Sequence, residues 1–182
     1  MTRLRPLEAA DVELLYRWRT DPEVSRFMYT SGPASPAEHE AWFAAAAIDG
    51  PAHRHRMFVD GTTAVGLASL TNIDTRLHRS CSWGGYIDPA SHGRGLGATL
   101  LVLSMRMAFD DLSLERVWVE AMATNDRAIA LYEQTGFRRE AFFRSFVWRS
   151  GTPLDVVGLA LLRKEWLTLY PRQTDSQPGG GA

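Results

Sequence analysis

Gly93, Gly95 and Gly97 alternate through a stretch that leaves an extended run closed by Pro89 and leads into the most apolar segment of the chain. Few local patterns restrict a fold as tightly. Glycines so spaced let the backbone adopt left-handed conformations and let a ligand approach without meeting a Cβ. After them, Leu96, Leu100, Leu103 and Met107 fall on one helical face, and Leu101, Met105 and Ala108 on a second. A helix apolar on most sides has to be buried against a sheet. Its free N–H groups and dipole suit an anion. A tight turn packing helix close to strand explains the same glycines, and the residues alone leave both readings open. A dinucleotide fold wants this loop after its first strand. Here it lies mid-chain, and it lacks the Gly-Lys-Ser/Thr ending of a Walker A loop.

The flanking sequence supplies the sheet. Residues 3–7 read as a short strand limited by Pro6. Val12, Leu15, Tyr16 and Arg19 form a helical stripe that stops at Asp21-Pro22, because a residue before proline is steered out of the helical region. A loop follows, and a second helix starts near Ser35 with Pro36 in its first turn. Extended runs are expected around 56–59, over 64–73, and over 80–88. Beyond the buried helix come a strand at 116–122 and a helix from Asn125 to the left-handed stop Gly136. Two apolar runs, 140–149 and 154–162, flank Ser150-Gly151-Thr152-Pro153 as a hairpin. The pattern is α/β around a single sheet, in one domain over 1–168. The tail 169–182, with no periodicity, is expected to be disordered.

Composition excludes several classes. Among 182 residues, 20 basic and 21 acidic side chains nearly cancel, which argues against a nucleic-acid partner. Nineteen of the 20 basic residues are Arg, spread along the chain, so composition bias explains the excess better than a binding surface. No apolar run reaches the roughly 18 residues that span a bilayer, so no membrane partner is expected. Cys81 is the single cysteine and reads as buried filler, which suits a reducing compartment. The opening MTRLRPLEAADVELL has no continuous apolar segment of the signal-peptide kind, so the expected location is the cytoplasm. No metal-ligand spacing occurs; His53-x-His55 reads as a solvated turn.

Three segments occur together in a familiar order. They are His92-Gly93-Arg94-Gly95-Leu96-Gly97, then Val119–Asn125 running through Ala128–Tyr132 to Gly136-Phe137, then Arg144, Gly151, Asp155 and Leu161–Trp166. Over about residues 2–166 the chain resembles the GCN5-related N-acetyltransferase superfamily. The last segment and Trp18-Arg19-Thr20-Asp21-Pro22-Glu23-Val24 are similar to the branch containing ribosomal-protein N-terminal acetyltransferases, and the latter also to nucleotide-aminosugar acetyltransferases.

The resemblance implies a mixed, mostly antiparallel sheet of about seven strands, splayed at its centre and flanked by helices. It implies acetyl-CoA as co-substrate, no metal, and direct transfer to a primary amine on a small molecule, an aminosugar or a protein N-terminus. The assembly would be a monomer or homodimer. The other class of function open to such a chain is a catalytically silent acyl-CoA-binding module. Pyrophosphate would meet the loop at His92, Gly93, Arg94, Gly95, Leu96, Gly97 and Ala98. His92 stands where the family usually has Gln or Arg; it either donates to a phosphate or merely fills the loop. A backbone N–H near Tyr86 and Ile87 would polarise the acetyl carbonyl. Asn125 would contact the cofactor, cap its helix, or both.

Tyr132 is the candidate proton donor to the departing thiolate, the alternative being a core tyrosine. Glu120 is the candidate base, directly or through water, or else a structural carboxylate paired with an Arg. Relatives often carry Glu where this chain has Ser82, which leaves Glu120 or water to serve. Arg19, Tyr29, Trp42, Asn72 and Trp83 are nominated for the acceptor side, though each also reads as packing or a solvated face.

Overall fold

The computed structural model describes residues 1–30 and 35–171, so residues 172–182 of the expected tail and the loop residues 31–34 lie outside it. Seven strands form one sheet: β1 (Thr2–Arg5), β2 (Arg54–Asp60), β3 (Thr63–Asp74), β4 (Ser80–Ile87), β5 (Arg116–Met122), β6 (Arg138–Arg149) and β7 (Thr152–Leu162). Their order is β1-β2-β3-β4-β5-β7-β6, with β4 and β5 parallel and every other pair antiparallel. Six helices flank them: α1 (Val12–Thr20), α2 (Pro22–Ser25), α3 (Pro36–Ala46), α4 (Leu96–Arg106), α5 (Asp126–Thr135) and α6 (Arg163–Leu169). Among the described residues no helix is long and apolar enough to cross a membrane.

Most elements follow the sequence pattern. Ser35 caps α3 by accepting from the Glu38 N–H, with Pro36 in the first turn. The β6–β7 hairpin turns through Ser150 and Gly151, both at positive φ, with Arg149 opposite Thr152. Two helices were not expected. Asp21-Pro22 ends α1 but also starts α2, because the Asp21 carboxylate accepts the Glu23 N–H at 2.8 Å. Thus the chain turns there rather than opening into a loop. Glu165 closes the start of α6 by accepting the Leu162 N–H at 3.1 Å. Trp166, buried in α6, stacks on Tyr170 and packs against Phe109, so residues 169 and 170 belong to the packed body. The apolar helix continues past Arg106 as a wider turn over Met107–Asp111, closed by Leu112 N–H on Met107 O at 3.1 Å.

The sheet is covered on both faces, and this positions the site. One core packs α4, α5 and α6 on Cys81, Trp83, Val117, Val119 and Ala121; the other packs α1 and α3 on Met57, Val59 and Leu67. His55 corrects the expectation of a solvated turn. It lies within β2, 8 % exposed, with Nδ1 2.8 Å from Ser69 Oγ, because β2 starts at Arg54 and turns His55 inward. Cys81 is buried as expected, and burial pushes its thiol up to about 12.

Candidate active site

β4 and β5 part company after three paired positions. Ser80, Cys81 and Ser82 face Arg116, Val117 and Trp118; beyond them the strands splay. The gap opens into a cleft of about 430 Å³ whose lining includes Trp83–Ile87 of β4, Glu120 and Ala121 of β5, His92, Gly97 and Tyr132. Splaying frees backbone groups on β4. The Asp88 N–H donates to Val65 O at 2.9 Å, which fixes the alternation along the strand. Tyr86 and Gly84 therefore turn their backbone groups to β3, while Ile87, Gly85 and Trp83 turn theirs to the cleft. The Ile87 carbonyl agrees, since it accepts from His92 Nε2 at 3.0 Å. Of the two residues nominated from sequence for a free N–H, geometry selects Ile87, and Tyr86 contributes its ring.

The two sides of the cleft differ in chemistry. Trp83 and Tyr132 lie on the α4/α5 side, rings edge to face at 5.8 Å. Tyr132 is 8 % exposed, and its hydroxyl has no hydrogen-bond partner among the described residues. Burial pushes its phenol up to about 12. Glu120, one strand face away, looks toward the α1/α2 side. There it accepts a short hydrogen bond from the Tyr29 hydroxyl, 91 residues distant in sequence. Burial, and then that bond, push the Tyr29 phenol above the ordinary tyrosine range, so Tyr29 remains the donor. The loop after α2 adds Phe27 and Met28 to the lining. Arg149 at the end of β6 holds this loop, donating to the Ser25, Arg26 and Met28 carbonyls.

At the other end of the cleft, Gly93 and Gly95 have φ of +80° and +72°, with open space where a Cβ would stand. Gly95 caps α4 in the left-handed conformation, which leaves the first N–H groups of the helix uncovered. Among the described residues no group of His, Cys, Asp or Glu is arranged to hold a metal.

A family model described as an acetyltransferase (GNAT) domain matches residues 2–138. The chain belongs to the GNAT acetyltransferase family. It is 24% identical over 164 residues to the spermidine N(1)-acetyltransferase of Vibrio cholerae, covering 90% of this chain and 94% of that one. It is 27% identical over 131 residues to the acetyltransferase PseH of Campylobacter jejuni, covering 72% and 79%. The solved structure of the Vibrio cholerae spermidine N-acetyltransferase with CoA and spermine superposes with a TM-score of 0.85 at 24% identity, over 91% of this chain and 98% of that one. The fold is thus the GNAT fold, and the chain is an acetyl-CoA-dependent N-acetyltransferase.

The GNAT residues present fit acetyl-CoA. The glycine loop and the start of α4 offer uncovered N–H groups to a pyrophosphate. The Trp83 indole N–H is buried in the cleft lining without a partner among the described residues, a donor set for a ligand oxygen. Several nominated side chains do other work. His92 commits its Nε2–H to Ile87 O at 3.0 Å, which leaves Nδ1 as the ring atom not engaged by that bond. Arg94 pairs with Asp60 at 2.7 Å, which leaves its backbone as its contribution. Asn125 caps α5 through the Ala128 N–H at 3.2 Å while lining the cleft. Leu96 is buried and Ala98 exposed in the first turn of α4, so they too offer backbone.

The acceptor nominations divide. Tyr29 reaches Glu120, whereas Trp83 sits on the Tyr132 side. Asn72 is exposed at the β3 bulge, donating to Ser82 Oγ at 3.2 Å, and Trp42 packs between His39 and His55; neither lines the cleft. Arg19 lies behind the lining, next to Tyr86 and Thr30. Phe27, Met28 and Arg149 escaped sequence reasoning. The Asp21-Pro22 helix start was the one local signal that the chain turns back there.

Proposed function

We propose that this acetyltransferase catalyses direct transfer of acetyl to a primary amine in a ternary complex, with Glu120 as base and Tyr132 as hydrogen-bond donor to the departing sulfur. The observation that carries the reading is the convergence of Ile87 N–H, Tyr132 and the Tyr29–Glu120 pair on one cleft where β4 and β5 splay. Acetyl-CoA supplies the activated acetyl thioester. The free N–H of Ile87 faces the negative charge that builds on the acetyl oxygen. Glu120 takes the proton that the amine must shed, and Tyr29, bonded to one carboxylate oxygen, orients the other. The Tyr132 hydroxyl, with no partner among the described residues to give up, is free to bond the leaving sulfur.

The acceptor is an amine small enough to enter from the α1/α2 side or an extended protein N-terminus; the polyamine and aminosugar relatives make small molecules the first panel. The catalytic unit is one domain over about residues 1–170, two residues past the boundary expected from sequence, because Tyr170 stacks on Trp166. Release of free CoA, followed with a thiol reagent against that panel, tests the reading. Wild type should release thiol with at least one amine, and Glu120→Gln should lower kcat/KM about a hundredfold. Acetyl-CoA binding with no thiol release from any amine would leave a silent acyl-CoA-binding module instead.

A further inference from the structure

Among the described residues Arg19, in the last turn of α1, is a cation without a counter-ion. Ten other arginines have a carboxylate within 4.0 Å. Arg19 has none among the described residues. Its Nη2 donates to Thr30 Oγ1 at 2.7 Å, while its Nη1 is sealed from water with no hydrogen-bond partner among the described residues. The ionisable groups that share its field are Tyr86, a phenol that burial keeps neutral, Arg149, a second cation, and the His39 imidazole. An exposed arginine needs no partner because water solvates it. Here one face of a half-buried guanidinium is withdrawn from water, and an N–H left unpaired there carries a desolvation cost that an anionic acceptor offsets best.

Its location connects this vacancy with the acceptor half of the cleft. Tyr86, its neighbour, lines the cleft on the Glu120 side, next to the free N–H of Ile87. Thr30, which fixes Nη2, follows Tyr29, which fixes Glu120. Arg149, the other cation, is committed to three backbone carbonyls of the adjoining loop. Arg19 thus stands behind the Tyr86 wall, on the side of the cleft that holds Glu120.

We propose that Arg19 receives an anionic group of the acceptor, so that the substrate is an amine carrying a carboxylate or a phosphate on the same molecule. The planar fork suits either oxyanion, with Thr30 already holding one nitrogen in place. The same cation repels a polyamine, which sets the expected acceptor apart from spermidine. This rests on the transferase reading above and narrows its substrate.

Matched acceptor pairs test it: phenylalanine against phenethylamine for the carboxylate, phosphoethanolamine against ethanolamine and glucosamine 6-phosphate against glucosamine for the phosphate, with spermidine as the polycation. With thiol release as readout, the anionic member of at least one pair should exceed its neutral partner by about tenfold or more in kcat/KM. Arg19→Gln should erase that preference, raising KM for the anionic amine about ten- to hundredfold with the KM for acetyl-CoA unchanged. Arg19→Lys, which keeps charge but not the fork, should retain part of it. Equal or better use of neutral amines or spermidine by wild type would overturn the proposal, as would a preference that survives Arg19→Gln. Thermal protection of the CoA-loaded protein by the same amines gives a second reading, independent of turnover. Protection by anionic amines that Arg19→Gln abolishes supports the site even if no thiol appears, in which case the transferase reading alone fails. No protection and no turnover with any anionic amine refutes the site.

Discussion

Removing the Tyr132 hydroxyl separates two roles that a tyrosine beside a leaving thiolate can play. Burial pushes this phenol up to about 12, whereas a thiol lies near 8.5, so full proton transfer to the departing thiolate is uphill by about 5 kcal/mol. Hydrogen-bond donation carries no such cost. A bond to a charged acceptor is worth about 1.5–3 kcal/mol, so Tyr132→Phe should lower kcat roughly ten- to 150-fold. The ring keeps its packing against Trp83 and Phe137, both at 5.8 Å, and the lost hydroxyl had no partner among the described residues. Melting temperature and acetyl-CoA affinity should therefore stay within error of wild type. The alkaline side of the wild-type kcat profile should carry no Tyr132 ionisation below about pH 11, because the phenol remains protonated there. The assay is thiol release across pH 6–10, beside a melting curve and an acetyl-CoA titration for each protein. An unchanged kcat, or an alkaline limb present in wild type and absent in Tyr132→Phe, would refute the reasoning.

Two further outcomes follow from buried groups. His55 is depressed to about 4, by burial first and then by His53 and Arg56. Because the unfolded ring takes up its proton near 6.5, stability is complete above that pH and falls toward pH 4 by about 3 kcal/mol. Urea titrations at pH 7 and pH 4.5 should resolve this; a His55→Gln protein with the same pH dependence would show that another group is responsible. At Gly85 a Cβ would stand 2.7 Å from Trp83 Cζ2 and 2.9 Å from Leu67 O. Gly85→Ala should cost about 1–3 kcal/mol and raise the KM for acetyl-CoA, whereas Gly84→Ala, with no atom within 4 Å, should melt like wild type. Equal melting temperatures for the two would sink the steric account.

Local chemistry made much of this protein legible from its sequence. The glycines at 93, 95 and 97, the apolar helix behind them, the Asn125 and Ser35 caps and the Ser150-Gly151 turn are decided within a few residues, by backbone freedom and by short-range hydrogen bonds. Those pieces sufficed for seven strands around one sheet, whereas Tyr132 was singled out by the family resemblance. What the tertiary structure alone decided involves partners far apart in the chain. Glu120 meets Tyr29 across 91 residues, and Arg149 holds carbonyls more than 120 residues before it. Strand register sends Trp83 to the Tyr132 side and turns Ile87 N–H, not that of Tyr86, into the cleft. The inward turn of His55, the commitment of His92 to Ile87 O and the isolation of Arg19 have the same origin. Propensity and spacing act over one turn or one hairpin, whereas burial and pairing depend on which distant segment packs alongside.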